Sequence, residues 1–236
     1  MDNESLEKIN SSIPDSDLCT GEKRMEKLIS HGVERLKRAA NGDDFFQKVP
    51  EEVPQENLTG WYLRNFGRII NTDCAKMAFI KDGYAPHDPE SVAKFHPDAS
   101  AVVKSLIRKM FAEISSGDTV IFMAGGNGSG KSTFCDGIRP YLGENWVIDA
   151  TLASLETARN TLEEVFALGA NAVIIHIIRD PQEAWENGVL KRAAHGSHCT
   201  PRKVFEYTHK TVTDNVATLE REFSRKGLLI YRIENK

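Results

Sequence analysis

Residues 119–142, TVIFMAGGNGSGKSTFCDGIRPYL, decide how the chain is read. Thr119 to Ala124 is an apolar, strand-length run. It leads directly into Gly125-Gly126-Asn127-Gly128-Ser129-Gly130-Lys131-Ser132, which satisfies G-x-x-x-x-G-K-S/T at every fixed position. A helix-compatible segment, Ser132 to Leu142, follows. Glycines in such a loop allow the backbone angles that turn successive N–H groups inward as a nest for an anion, and the helix N-terminus adds partial positive charge. A plain glycine turn needs neither the lysine nor the hydroxyl. In a phosphate site Lys131 reaches the β- and γ-phosphates of a nucleotide, Ser132 gives its hydroxyl to Mg²⁺, and Thr133 completes the run. ATP and Mg²⁺ are therefore the expected ligands of residues 125–133.

Strands and helices alternate downstream. WVIDA (146–150) and AVIIHII (172–178) read as strands; Leu155 to Leu168, Pro181 to Ala194 and Pro201 to about Phe223 read as helices, and LLIYRI (228–233) closes the series. Apolar strands separated by helices of this length imply an α/β fold with a buried parallel sheet and right-handed crossovers. Upstream, Val102, Leu106, Met110 and their neighbours give Ala99 to Ile114 a helical period, with Lys104, Arg108 and Lys109 on its wet side, and FGRII (66–70) is a strand candidate. The first 55 residues are charge-rich and punctuated by Pro14, Pro50 and Pro54. Within them Met25, Leu28, Ile29, Val33 and Leu36 predict one amphipathic helix ending near Asn41-Gly42, and EEVPQEN reads as a linker. The expected organisation is an N-terminal helical or partly disordered extension, 1–55, and one domain, 56–236.

Composition excludes several classes. Of 236 residues 40% are hydrophobic, which rules out collagen-like and wholly disordered chains. Thirty basic against thirty-four acidic side chains leave a net charge of −4, so no overall positive field favours nucleic acid. The longest apolar runs are far too short to span a bilayer, and MDNESLEKIN lacks the basic start and apolar run of a signal peptide. Cys19, Cys74, Cys135 and Cys199 contain no C-x-x-C pair, which fits neither a disulfide framework nor a zinc ribbon. A reducing, cytoplasmic compartment is expected.

Asp149, at the end of WVID, stands where a carboxylate can hold Mg²⁺ directly or through water; it can equally cap the next helix, a task open to Thr151 or Ser154 as well. His195, His198 and Cys199 hint at metal ligation without a second cluster to complete it. His176 reads as a core histidine with a backbone partner.

From about Arg68 to Asn215 the chain resembles the zeta-toxin-like family of P-loop kinases. The resemblance is carried by FHPDASAVVKSLIRKMF, AGGNGSGKST, VIDAT, IIHIIRDP and ENGVLKRAAHGSHCTPRKVF. It implies a three-layer P-loop NTPase/kinase-like parallel sheet with flanking helices, and an ATP-dependent kinase that transfers the γ-phosphoryl group to a hydroxyl of a small-molecule acceptor such as a nucleotide sugar or dinucleotide. An antitoxin or regulatory protein is the implied partner. Arg192 matches the family's lid arginine, the alternative being a solvated face beside Lys191. A second arginine usually follows the lid glycine; here Ser197 and His198 follow Gly196, leaving His198 or Arg202 as substitutes. The family's acceptor motif, I-D-x-D-x-F/A-R/K, follows the P-loop helix, yet nothing between Leu142 and Trp146 resembles it. Ile70-Asn71-Thr72-Asp73-Cys74-Ala75-Lys76 does, ahead of Tyr84 and Pro86, although it precedes the loop. Asp73 is therefore the candidate general base or acceptor-orienting carboxylate, provided FGRII enters the sheet beside the loop strand. Its other reading is a helix cap for CAKMAF. Two further functions stay open: a polynucleotide kinase, and a nucleotide-dependent toxin or effector module without small-molecule kinase activity.

Overall fold

In the computed structural model, which describes residues 18–42, 50 and 57–236, five strands form one sheet. They are β1 (Ile69–Ile70), β2 (Thr119–Ala124), β3 (Trp146–Asp149), β4 (Asn171–Ile178) and β5 (Leu229–Glu234). The order is β1-β3-β2-β4-β5 and every neighbouring pair is parallel. The helices are α1 (Leu18–Ala40), α2 (Leu58–Phe66), α3 (Thr72–Lys76), α4 (Pro89–Lys94), α5 (His96–Glu113), α6 (Lys131–Ile138), α7 (Leu155–Ala167), α8 (Pro181–Ala184), α9 (Lys191–Ala194) and α10 (Arg202–Phe223).

Both faces of the sheet are covered, which is why its strands read as unbroken apolar runs. Side chains alternate between faces along each strand. Ile121, Met123, Val147, Val173, Ile175 and Ile177 join Phe134 and Ile138 of α6 and Met25, Leu28 and Leu36 of α1 in one core. Val120, Phe122, Trp146, Ile148 and Ile174 turn the other way, toward Leu106 and Met110 of α5, Leu162 of α7 and Val216 of α10. The amphipathic helix expected near the N-terminus is thus a layer of the core. It lies close on α6: a Cβ at Gly137 would sit 2.5 Å from Arg35 Cβ and 2.8 Å from the His31 carbonyl oxygen. Buried Arg35 donates from Nε to Asp136 Oδ2 at 2.8 Å across the same contact.

Several local expectations are corrected. FGRII contributes only Ile69 and Ile70, because Gly67, at φ +65, ends α2 and bonds back to Leu63. β1 pairs with β3 rather than with the loop strand β2, so β3 stands between them. The helix expected to reach Leu142 gives way after Ile138 to a 3₁₀ turn, Arg139–Tyr141, where Pro140 has no N–H to continue the α-helical ladder. The helix over 181–194 is interrupted by a π-helical turn, Trp185–Leu190. The short helices α3 and α4 are each started by an Asx cap, Asn71 and Asp88, and α4 occupies the stretch that Pro86, Pro89 and Pro97 mark as loop-rich in sequence. Lys104, Arg108 and Lys109 are exposed, as read. The linker residues 51–56, with Pro54, and Pro14 lie outside the described residues. Among the described residues no helix is long and apolar enough to cross a membrane.

His176 is buried on β4, but its Nδ1 lacks the backbone partner expected of it. Burial, then the charges of Arg232 and Lys131, push its pKa down to about 4. Because the unfolded imidazole keeps its ordinary value near 6.5, the unfolded chain takes up this proton first as the pH falls. This contribution to stability is complete above about pH 6.5 and is lost between there and about pH 4. Denaturant titrations at pH 7 and pH 4.5 should therefore show wild type losing roughly 1–3 kcal/mol more than His176→Leu. Equal losses would contradict the assignment.

Candidate functional site

In a parallel sheet the carboxyl ends of all strands lie on one edge, the usual place for a ligand crevice. The loop from Gly125 to Gly130 leaves β2 at that edge and passes into α6. Every carbonyl of the loop accepts a hydrogen bond. Lys131 Nζ donates to the Gly125 and Gly126 oxygens at 2.7 and 3.1 Å. The Asn127 carbonyl meets His209 Nε2 at 2.9 Å, Arg179 Nη1 donates to Gly128 O at 3.2 Å, and Asn235 Nδ2 donates to Ser129 O at 2.8 Å. Gly130 O accepts the first helical bond, from Phe134 N. Asn127 is also fixed through its side chain, whose Oδ1 accepts from Thr208 Oγ1 at 2.9 Å. The N–H groups of Lys131, Ser132 and Thr133 are first-turn donors that a helix leaves without intrahelical partners.

Lys131 is buried, with 9% exposure. Burial lowers its pKa, opposed by the nearby charge of Asp149. Asp149 closes β3. Its Oδ2 accepts from Ser132 Oγ at 2.9 Å and from Asn71 Nδ2 at 2.7 Å, while its Oδ1 is buried with no hydrogen-bond partner. Burial raises its pKa, against Lys131 and the two hydrogen bonds. Ser154, not Asp149, caps α7. A buried carboxylate oxygen with no donor, beside a serine hydroxyl at a helix N-terminus, is a donor set suited to a hard divalent cation.

Asn71, which follows β1, organises the other side. Its Oδ1 accepts from Asp73 N at 2.7 Å and Cys74 N at 3.1 Å, capping α3 and freeing the Asp73 carboxylate from the capping role allowed for it. Its own N–H donates to Tyr62 Oη at 2.8 Å, and that buried hydroxyl donates to Ile69 O at 2.7 Å. Asp73 Oδ1 accepts from Lys76 Nζ at 3.0 Å, and Oδ2 lies 3.4 Å from His198 Nε2. Burial works to raise the Asp73 pKa, but His198, Lys76 and Arg192 together hold the carboxyl well below the usual range.

Of the two candidate substitutes for a second arginine, His198 is the one that comes to Asp73. Its loop is tied down by Cys199 N donating to Pro86 O at 2.9 Å. Arg202 turns away, donating to Glu206 at 2.7 Å with its guanidinium 4.5 Å from the Trp185 ring. His195 Nδ1 meets the Lys191 carbonyl at 2.8 Å, and among the described residues no group of three His, Cys, Asp or Glu side chains is placed to hold a metal. Arg192 is not a solvated surface residue. It lines the crevice with Nε donating to Gly188 O at 3.2 Å; burial lowers its pKa against the charges of Asp73 and Asp149.

One cleft of about 930 Å³ brings these groups together. Asn127, Gly128, Gly130, Lys131, Ser132, Thr133, Asp149, Asp73 and Arg192 all line it, while Gly125, Gly126 and the buried Ser129 stand behind the lining. Val92, Ala93 and His96 border the Asp73 end, and Leu36, Ala39 and Ala40 of α1 also border the cleft. The sequence reading missed the carbonyl partners Arg179, His209 and Asn235, and the bridging part of Asn71; only Asn71 had a readable signal, its place in the Ile70–Lys76 motif. No protein-family model matches the chain, and no curated protein matches its sequence.

Asn71→Ala removes a helix cap and one of the two donors on a buried carboxylate. Chemical denaturation should show a loss of about 1–2 kcal/mol. A fully stable variant would show that the two functions of Asn71 are dispensable.

Proposed function

We propose that the chain is an ATP-dependent phosphotransferase with a P-loop kinase-like fold, which moves the γ-phosphoryl group of ATP to a hydroxyl of a small acceptor such as a nucleotide sugar or dinucleotide. One observation carries the reading: a single buried carboxylate, Asp149, is bonded both to Ser132 at the glycine loop and to Asn71, the residue that caps α3 beneath Asp73. The acceptor carboxylate and the loop lysine thereby share one cleft although 58 residues separate them in the chain.

In this reading the nucleotide phosphates take the inward N–H groups of the loop, and Lys131 leaves the loop carbonyls for them. Ser132 and Asp149 are the residues suited to Mg²⁺, which when bound neutralises charge on the β- and γ-phosphates. Transfer breaks the bond from the γ-phosphorus to the bridging oxygen, releasing ADP, and forms one to the acceptor oxygen, whose proton passes to solvent as that bond forms. Lys131 and Arg192 offset charge on the transferred group. Asp73, held so far below the ordinary carboxylate range, acts by accepting a hydrogen bond and aligning the acceptor hydroxyl rather than by storing its proton before reaction. A cytoplasmic setting belongs to the same proposal and accords with the free thiols of Cys74, Cys135 and Cys199.

The reading is tested by incubating the protein with labelled ATP, Mg²⁺ and a metabolite extract and identifying the labelled product by mass. A labelled small molecule is expected. Label found only on oligonucleotide ends would favour a polynucleotide kinase, and ATP binding without any product would favour a nucleotide-dependent effector. With the acceptor known, Asp73→Asn should slow turnover by up to roughly 10²-fold, the scale of a misaligned reactant, while ATP affinity stays nearly constant. Loss of ATP binding along with turnover would remove Asp73 from the acceptor side. Asp149→Asn should raise the Mg²⁺ concentration needed for half-maximal rate; an unchanged metal response accompanied by lower stability would make its function structural.

A further inference from the structure

The helical segment that carries Arg192 is irregular: six residues, Trp185–Leu190, wind as a π-helical turn between α8 and α9. Such single turns are uncommon and recur at functional sites. Relative to a continuous α-helix, one extra residue rotates everything beyond it by about 100°, so the turn determines which way Arg192 is aimed.

At Gly188 the turn meets the glycine loop backbone to backbone. A Cβ on Gly188 would lie 2.6 Å from Gly128 O and 2.9 Å from Gly128 Cα, neither of which can swing aside as a side chain does. The fit is reciprocal. Gly128, at φ +78, leaves no room for a Cβ against the Ala184 carbonyl oxygen. Arg179, just ahead of α8, donates to the same Gly128 oxygen. From the other side the turn is pinned to α10: Ala184, Val189 and Phe205 form one small buried cluster, and the Trp185 ring packs edge-on to Phe205 at 4.9 Å. Finally, the Gly188 carbonyl accepts from Arg192 Nε.

We propose that Gly188 is a positioning residue which couples the glycine loop to Arg192: its backbone is seated on Gly128, and its carbonyl holds the arginine over the cleft. A loop filled by phosphate and a loop left empty then present different seats to the turn, and Arg192 is aimed accordingly. This inference rests on the phosphotransferase reading of the same cleft, and its test separates the two.

Gly188→Ala forces the two backbones apart while retaining every functional side chain. Misplacement of a transition-state group by about 1 Å lowers rates by up to roughly 10²-fold, so turnover should fall by roughly 10- to 100-fold while ATP affinity changes by less than about threefold. In the double variant with Arg192→Ala, the alanine at 188 should add less than about threefold, because its effect passes through an arginine already removed. Multiplying effects, or a loss confined to ATP affinity, would overturn the proposal. A second measurement needs no turnover. Trp185 lies in the turn, so MgATP should change its emission in wild type, the change being assigned by its loss in Trp185→Phe, and Gly188→Ala should abolish it. If wild type binds ATP yet phosphorylates nothing, the phosphotransferase reading fails and this arm decides alone. A Trp185 signal indifferent to MgATP in wild type, or unaltered in Gly188→Ala, overturns the coupling whatever the turnover.

Discussion

The site depends on where the carbonyls of six residues point. From Gly125 to Gly130 each accepts a hydrogen bond, and the donors come from Lys131, His209, Arg179, Asn235 and Phe134. Gly125, Asn127 and Ser129 bond their N–H groups to Thr151, Thr208 and Gly126, which leaves those of Gly126, Gly128 and Gly130 to be offered, and α6 adds the positive end of its dipole. Without those donors a glycine-rich loop would be free to sample many conformations, since glycine restricts its own backbone least. The sheet and helices around the loop can therefore be understood as the means of bringing distant donors to it. β4 leads to Arg179, α10 carries Thr208 and His209, and β5 ends one residue before Asn235.

A second convergence joins the loop to the Asp73 side. Asp149 Oδ2 receives Ser132 and Asn71 together, so α6, β3 and the segment after β1 meet at one oxygen. A parallel sheet makes this possible irrespective of chain order, because every strand delivers its carboxyl end to the same edge. β1 needs only two residues to register against β3, Ile69 with Val147 and Ile70 with Ile148. That short pairing suffices to carry a motif which precedes the loop in sequence to the same cleft in space.

The helices α1, α5, α7 and α10 were legible because their apolar residues recur at the helical period, and the sheet's strands because they are short apolar runs between such segments. Gly125 to Thr133 was legible because its residue types have no purpose in a plain turn. The position of β1 was not: pairing with β3 rather than β2 is fixed by long-range packing around Ile69 and Ile70, which leaves no trace in local periodicity. The π-turn was hidden for the same reason, since Trp185–Leu190 reads as ordinary helix until Gly128 is brought against Gly188. Asp73 and Asp149 were each left between capping and chemistry, and the caps are taken by Asn71 and Ser154. Arg179, His209 and Asn235 act through side-chain bonds to a backbone 50 to 110 residues away, roughly the separation at which single-sequence patterns carry no information.

The central claim, that this loop with its supporting carboxylate is a magnesium–nucleotide site, is tested most directly by calorimetric titration of ATP into the wild-type protein with Mg²⁺ and again with the metal chelated. The account predicts one ATP bound per chain and an affinity at least about tenfold weaker, about 1.4 kcal/mol, without Mg²⁺. No binding, or the same affinity in both titrations, would contradict it.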